Sequence, residues 1–438
     1  MAANASSALE PDPSPRHLLG LPILAAGAGV VSGFVGGAFR WLLERLDAWR
    51  EHLVVWAAQT GHFAWCVPIL VVAGGAAMGA AITRWEPLSA GSGIQHVEAV
   101  ERVEAAPPLL RVVPARFFGG LASIGLGGLV LGREGPTVHM AAAIGASVGR
   151  LMRVGADDVR TLQTMLSGAG LAVAFNAPIS GGLFVFEEIR RRVRVVDVLA
   201  ALAAVASAVG CMRLVLGDHP DFTVPPVDRP SLAMVPIFMI FGACVGLIGV
   251  AYSRLTVICL DLVGALSSVP REVKAAGIGL AVGGALLIDP LTVGGGDRLT
   301  EMVLAGHGLA LTTVVIYLVV RFAAGPMSYA AGTPGGLFAP MLALGALLGL
   351  VAGRIIGVFD AGLGAELTPA LVLVGLSTLF AAVVQAPFTG IVLVIEMTAI
   401  TSVTVPMLVA GVGAVTVSAL VRNPPIYDVL RRRMLDST

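Results

Sequence analysis

Glu134 is an acidic residue in a part of the chain that is otherwise apolar. It lies in the sequence Gly132-Arg133-Glu134-Gly135-Pro136, between the uncharged stretches 117–132 and 135–149. A carboxylate at membrane depth costs about 3 kcal/mol, so an acid in such a place is usually functional. The glycines and the proline predict a helix that breaks here, which would aim backbone N–H groups at an anion or at a carboxylate.

The composition indicates what surrounds this residue. The chain has 438 residues, of which 56% are hydrophobic and 13% are charged, whereas soluble domains average about 25% charged residues. A spanning helix needs about 20 apolar residues. The apolar runs of this chain are Leu18–Phe39, Leu53–Thr83, Thr161–Phe186, Pro230–Ser253, Phe322–Gly353, Leu367–Ile395 and Met397–Val421. We therefore predict an all-α polytopic membrane protein.

Other classes of protein find no support in the composition. The net charge is zero, so nothing indicates nucleic-acid binding. The four cysteines lie singly in apolar stretches and the seven histidines form no ligand motif, so no disulfide framework and no metal site is predicted. We expect no cofactor.

Two basic clusters predict the orientation of the chain. They are Arg190, Arg191, Arg192 and Arg194 in one short segment, and Arg431, Arg432 and Arg433 near the C-terminus. By the positive-inside rule both clusters face the cytoplasm. We expect a multi-pass protein of the cell membrane with both termini cytoplasmic. Residues 1–17 lack the basic region of a signal peptide, and we interpret them as a disordered tail.

The two halves of the chain resemble one another. Three landmarks recur in the same order: segment 91–100 matches 294–303, the glycine pattern of 132–149 matches 332–349, and segment 177–187 matches 386–396. Paired halves with Gly- and Pro-interrupted helices are typical of secondary transporters, whose substrate site lies between the halves near the membrane midplane. The sequence leaves open whether the repeats are inverted or parallel.

The repeat also sets domain boundaries. We place the first membrane repeat at 18–215, the second at 230–428 and a cytoplasmic C-terminal tail at 429–438, with no C-terminal regulatory domain.

Acidic residues that only one half contains are the better functional candidates. Glu187 has a counterpart in Glu396, and Glu98 has one in Glu301, so we interpret these acids as capping or packing residues. Glu134 faces Pro334 across the repeat, and Glu188 faces Met397. The fold does not require an acid at the last two positions.

Four motifs resemble the signature set of the CLC chloride channel and transporter family. They are Gly91-Ser92-Gly93-Ile94, Gly132-Arg133-Glu134-Gly135-Pro136, Gly335-Gly336-Leu337-Phe338-Ala339-Pro340 and the late Tyr427, in family order. The resemblance covers about residues 18–430. It implies two helical repeats whose broken, re-entrant helices meet at a central anion site, and it implies a homodimer with one pathway in each subunit.

The resemblance also implies which groups bind chloride. They are the hydroxyls of Ser92 and Tyr427 and the backbone N–H groups of Leu337 and Phe338. Such donors attract an anion moderately and reversibly, as transport requires. The alternatives are helix capping for Ser92 and an interfacial anchor for Tyr427. Serine at position 92 resembles the members that prefer chloride to nitrate.

Two glutamates carry the proton chemistry in this interpretation. A carboxylate beside helix N-termini competes with an anion for the same positive field, so Glu134 could serve as gate and proton carrier; the alternative is an ion pair with Arg133. By resemblance Glu188 is the internal proton-transfer glutamate of the exchanger branch. Its alternative is an ion pair with Arg191 or Arg192.

Some residues depart from the family pattern. Many members have Pro then Glu where this chain has Gln95 and His96, and Gln where it has His139. We interpret His139 as a packing residue, because it is five positions beyond Glu134 and does not share its helix face.

The function predicted is antiport of chloride and protons across a lipid bilayer, and the alternative is a passive chloride channel on the same scaffold. A fluoride exporter is disfavoured, since that branch has a different set of residues around the gating glutamate. Gly145-Ala146-Ser147-Val148-Gly149 fits the nucleophile elbow of serine hydrolases. Its glycines recur at Gly345 and Gly349, however, and small residues at that spacing pack helices, so we expect no enzyme.

Overall fold

The fold is that of a computed structural model, which describes residues 15–61, 63–190 and 193–436. These residues form seventeen α-helices. In chain order they are α1 (Pro15–Thr60), α2 (Cys66–Trp85), α3 (Ile94–Glu101), α4 (Val112–Gly120), α5 (Glu134–Leu151), α6 (Ala156–Phe175), α7 (Pro178–Phe184), α8 (Val195–Leu216), α9 (Val235–Ala265), α10 (Arg271–Ile288), α11 (Asp297–Leu304), α12 (Leu311–Ala330), α13 (Phe338–Phe359), α14 (Ala361–Val384), α15 (Pro387–Thr398), α16 (Thr404–Leu420) and α17 (Ile426–Asp436).

The prediction of an all-α membrane protein is confirmed. Seven helical stretches in the described part of the chain are long and apolar enough to cross a bilayer. In α14, 89% of the residues in its membrane-spanning apolar segment are buried within the protein, whereas in α1 the share is 33%. The longest apolar helices therefore divide between those that face the surroundings and those that enclose the middle of the molecule.

Short helices and π-helical turns interrupt the long spans near the centre. α3 and α11 have eight residues each, which is too short to cross a bilayer. One π-helical turn, Leu121–Leu126, precedes the segment with Glu134, and another, Val185–Ile189, carries Glu187 and Glu188. Such turns occur mostly at functional sites, because they leave i→i−4 hydrogen bonds unmade.

The repeats are inverted, which the sequence left open. Glu187, after α7, accepts hydrogen bonds from the first amides of α15, at 3.0 Å from Phe388 and 2.6 Å from Thr389. Glu396, near the end of α15, accepts from the first amides of α7, at 2.9 Å from Ile179 and 2.7 Å from Ser180. Each helix therefore ends where the other begins, so the two are antiparallel. The contacts confirm the interpretation of this glutamate pair as caps.

The glycines of the two repeats pack helices, as predicted, but the predicted pairing of 132–149 with 332–349 is out of register by one helical turn. α5 begins at Glu134 and α13 at Phe338, so Phe338, and not Pro334, is the counterpart of Glu134. Gly145 and Gly149 on α5 lie against the backbone and side chains of α6, and Gly345 and Gly349 on α13 lie against α14. A Cβ at any of the four would meet the neighbouring helix at about 3 Å or less. Ser147 lies inside α5 and donates to the Ala143 carbonyl at 2.7 Å, not in the strand–turn–helix context that a nucleophile elbow needs.

The chain ends of the membrane part differ from the predicted boundaries. α1 begins at Pro15, inside the range predicted as the disordered tail 1–17, and residues 1–14 lie outside the described residues. α17 runs to Asp436, so the boundary at 428 falls inside a helix, and that helix packs on α3. Most of the segment predicted as a tail therefore belongs to the folded membrane unit.

The reciprocal caps predict a measurable contribution to stability. Glu396→Gln removes a charge that the first turn of α7 holds, and we expect it to destabilise the protein by roughly 1–2 kcal/mol. The measurement is thermal unfolding in detergent, with the exposed Glu366→Gln on α14 as the control. Equal melting temperatures for the two variants would contradict the capping assignment.

Candidate anion site

Four helices begin in one small region at the centre of the molecule. They are α3, α5, α13 and α17, and one of the predicted motifs lies at or just before the first turn of each. Backbone hydrogen bonds join the loops of the two halves: Gly132 and Gly336 bond to each other in both directions at 2.8 Å, and the Gly91 carbonyl accepts from Gly335 N–H at 3.1 Å. Because a helix N-terminus carries partial positive charge, their convergence favours an anion.

Two hydroxyl groups face each other in this region. Ser92 is 0% exposed in the loop before α3, and Tyr427 is 0% exposed in the first turn of α17. The two side chains interact with each other, yet neither hydroxyl forms a full hydrogen bond with any group in the part of the chain that the structure describes. A buried hydroxyl normally has a partner, so these two suit a small anion that accepts from both.

The carboxylate of Glu134 accepts a hydrogen bond from a backbone N–H group that was predicted to bind chloride. The first residue of α5 is Glu134 itself, so the helix begins where predicted. Its Oε1 accepts from the N–H of Phe338 at 2.7 Å, at the start of α13. Leu337, the N-cap of α13, precedes this amide and is fully buried. The carboxylate therefore takes the place of an anion at the N-terminus of α13.

The alternative ion pair between Glu134 and Arg133 does not form. The guanidinium of Arg133 instead lies 3.5 Å from Asp221 and 3.5 Å from Asp297. Its Nε donates to the carbonyl of Ala174 at 3.0 Å. Because these groups satisfy Arg133, the carboxylate of Glu134 remains available for the helix amides.

The ring of Phe338 forms part of the wall of the site. It lies 4.6 Å from the ring of Phe380, 5.6 Å from that of Tyr427 and 6.1 Å from that of Phe184, all edge to face. This packing fixes the start of α13 and keeps the surroundings of its first amides apolar. An anion bound there would therefore form hydrogen bonds only with donors of the protein.

Glu188 lies apart from these groups, against Glu98 of α3. The π-helical turn that carries Glu188 packs on α3, which brings its carboxyl group close to that of Glu98, and Arg431 lies 3.8 Å from Glu98. Glu98 was interpreted as a capping or packing residue because Glu301 is its counterpart, but the two positions differ in burial: Glu98 is 2% exposed whereas Glu301 is exposed. Two carboxyl groups in contact hold a shared proton more readily than two charges.

The alternative partners of Glu188, Arg191 and Arg192, lie outside the described residues. Arg190, the neighbouring basic residue, is engaged elsewhere, since its guanidinium lies 2.7 Å from Glu101 and 2.7 Å from Asp197.

Sequence reasoning missed a pair of arginines that hold the loops of the site. Arg116 on α4 donates to the carbonyls of Gly91 and Ser92, and Arg321 on α12 donates to those of Val293 and Gly294. Each is a lone cation in an apolar stretch, 112–132 or 310–353. Their matching places in the two halves were the signal that could have revealed them.

A profile of the voltage-gated chloride channel family matches residues 74–419. The inverted repeats, the interrupted helices and the buried anion donors define a membrane protein of this architecture. The chain belongs to the voltage-gated chloride channel family.

Individual relatives extend this match to nearly the full chain. The H(+)/Cl(-) exchange transporter ClcA of Vibrio cholerae is 34% identical over 98% of this chain and 92% of its own length. The ClcA of Vibrio parahaemolyticus is 35% identical over 94% of this chain and 89% of its own, and that of Cronobacter sakazakii is 32% identical over 98% and 92%.

Solved structures agree with the fold. A slow cyanobacterial Cl-/H+ antiporter superposes with a TM-score of 0.90 at 29% identity, over 96% of this chain and 98% of that one. A eukaryotic CLC transporter superposes with a TM-score of 0.78 at 21% identity, over 96% and 74% of the two chains.

The contact between Glu134 and Phe338 predicts tighter anion binding when the carboxylate is removed. Glu134→Ala frees the amide of Phe338, and a charge-assisted hydrogen bond of about 1.5–3 kcal/mol no longer opposes the anion, so we expect chloride to bind about tenfold more tightly. Isothermal titration of chloride into purified protein measures this. Weaker binding would show that Glu134 does not compete for the site.

Proposed function

We propose that this protein exchanges chloride for protons across a membrane. The observation that carries the proposal is the carboxylate of Glu134 on the amide of Phe338. A group that takes the anion's place when ionised, and leaves it when protonated, links the two ions in one step. The relatives named as H(+)/Cl(-) exchangers and the antiporter that superposes on this chain support exchange over a passive channel.

Chloride would bind among four donors. The hydroxyls of Ser92 and Tyr427 and the amides of Leu337 and Phe338 form the site, and none of these donors carries a full charge. Neutral donors at helix N-termini hold an anion without trapping it, which permits turnover.

Two cavities border the segments that carry the site. One of about 520 Å³ is lined by Gly91 and Gly93, the neighbours of Ser92, and by Arg271, Lys274 and Arg433. Another of about 380 Å³ is lined by Arg133 with Asp221 and Asp297. The cations of the first cavity attract chloride toward Ser92, while Glu134 closes the site on the side of Arg133.

The proton would travel through a second route on the cytoplasmic side. Glu188 and Glu98 form a contact pair that can hold one proton between them. A chain of ionisable side chains in series is what proton transfer through a membrane protein needs. We assign Glu188 as the internal proton-transfer residue, with Glu98 as its hydrogen-bonding partner, and Glu134 as the outer one.

The termini support an orientation with both ends in the cytoplasm. Gly29 and Gly33 of α1 pack on Ala204 and Ala208 of α8 in the same order, so these two helices are parallel and begin on one side. Arg431 pairs with Glu104 beyond the end of α3, and Arg190 pairs with Glu101 at that end. Arg190 and Arg431 thus lie near one face, which the positive-inside rule assigns to the cytoplasm of a cell.

We further propose a homodimer in the lipid bilayer. Large apolar side chains on α7, α8, α15 and α16 are exposed, namely Ile179, Leu202, Phe388, Val405 and Val412. These four helices form one continuous group around the reciprocal caps. An apolar face in a bilayer can meet lipid or another copy, and single-molecule counting of labelled subunits in liposomes distinguishes the two.

Exchange predicts uphill proton movement. In liposomes with more chloride inside than outside, chloride should leave and protons should enter against their gradient, so a pH electrode in the external solution should record alkalinisation. Glu134→Ala should keep chloride flux and abolish proton movement, because the carrier is gone. Chloride flux in the wild-type protein without any proton movement would establish the passive channel instead.

The internal route predicts a different phenotype for Glu188. Glu188→Gln should retain chloride flux and reduce proton flux at least tenfold, since an amide cannot carry the proton. The same flux assay measures it, with the exposed Glu366→Gln as the matched control. Proton pumping at the wild-type rate in Glu188→Gln would exclude this residue from the route.

A further inference from the structure

His139 and His96 form a buried pair that the transport mechanism leaves unused. His139 of α5 is 0% exposed and His96 of α3 is 3% exposed. Nε2 of His139 lies 3.0 Å from Nδ1 of His96, and the rings meet edge to face with centroids 5.0 Å apart. The interpretation of His139 as a packing residue is therefore incomplete, because both of its ring nitrogens are engaged.

The pair continues into the arginine that holds the Ser92 loop. Nε of Arg116 donates to Nδ1 of His139 at 3.1 Å. The other guanidinium N–H groups point to four carbonyls of one loop, those of Leu88, Ala90, Gly91 and Ser92. All five N–H groups of Arg116 thus have acceptors, and the carbonyl dipoles of the loop point toward the arginine.

The direction of each hydrogen bond follows from Arg116. A guanidinium only donates, so Nδ1 of His139 accepts and its proton resides on Nε2. That N–H donates to Nδ1 of His96, which leaves the proton of His96 on Nε2. The result is a one-way chain of hydrogen bonds from Arg116 through His139 to His96.

The second repeat provides an internal comparison. Arg321 holds the equivalent loop through the carbonyls of Leu291, Val293 and Gly294. Its Nε, however, has no hydrogen-bond partner among the described residues. Next to Gly296 stands Ala343, where His139 stands next to Gly93 in the first repeat.

The half without the histidines is also the half without the hydroxyl, since Gly295 matches Ser92. The chain of hydrogen bonds through His139 therefore occurs in the repeat with the Ser92 loop and is absent from the equivalent loop of the second repeat.

We propose that His139 and His96 are positioning residues of the chloride site, which orient Arg116 so that the Ser92 loop presents its hydroxyl, and not its carbonyls, to the anion. This inference rests on the proposed binding of chloride at Ser92. The Ser92 N–H already donates to the hydroxyl of Tyr329 at 3.3 Å, so Arg116 and Tyr329 together fix both backbone groups of Ser92. Without an acceptor at Nε, Arg116 would be positioned by the loop carbonyls alone, as Arg321 is in the second repeat, and the Ser92 hydroxyl would be held less precisely toward the anion.

The test compares variants that keep or remove the acceptor for Arg116. His139→Leu removes it, and we expect chloride binding to weaken about tenfold and the preference for chloride over nitrate to fall. His139→Asn keeps an oxygen close to the position of Nδ1 and should remain within about threefold of the wild-type affinity. His96→Leu breaks only the second link and should give an intermediate loss.

Titration calorimetry with chloride and with nitrate gives the affinities, and thermal unfolding gives the stability. The exposed His52→Leu on α1 is the control. An unchanged chloride affinity in His139→Leu would overturn the proposal, as would equal losses for His139→Leu and His139→Asn that follow their melting temperatures. If His139→Leu does not fold, His96→Leu decides by the same criteria. Absence of chloride binding in the wild-type protein would instead refute the proposed function.

Discussion

The central interaction is the hydrogen bond from the Phe338 amide to the carboxylate of Glu134. It can be made by a carboxylate or by an anion, but not by both at once. The residues around this hydrogen bond hold its donor in place. α13 begins at Phe338, the aromatic rings fix that start, and Arg133 is held by Asp221 and Asp297. In the proposed exchange, competition for one buried donor would take the place of a large moving gate.

Backbone hydrogen bonds hold the loops around the site together. Gly132 and Gly336 bond to each other across the two repeats, and Gly91 bonds to Thr333 and Gly335. The left-handed conformation of Gly91, with a φ of 64°, lets the chain approach this closely. Loops that are joined by hydrogen bonds hold the donors at fixed positions, so the side chain of Glu134 is the part left free to move.

Much of the fold and site could be predicted because the determining signals are local. The apolar runs, the Gly- and Pro-rich breaks and the lone acid Glu134 need no knowledge of distant contacts. The Arg116 clamp and the Glu98–Glu188 pair could not be found in this way. Residues far apart in sequence create both, and repeat symmetry pointed away from Glu98, since Glu301 shares its position but not its burial.

The mutual caps of Glu187 and Glu396 bear on the origin of the chain. An ancestor with a single repeat would have formed a two-fold symmetric dimer. In that dimer the same glutamate of each copy would have capped the helix of the other copy, so one residue supplied both interactions. Fusion of two such copies would make that contact intramolecular and let each half diverge. Ser92 opposite Gly295, and Glu134 opposite Phe338 as the first residues of α5 and α13, are then the asymmetries that a symmetric dimer could not have possessed.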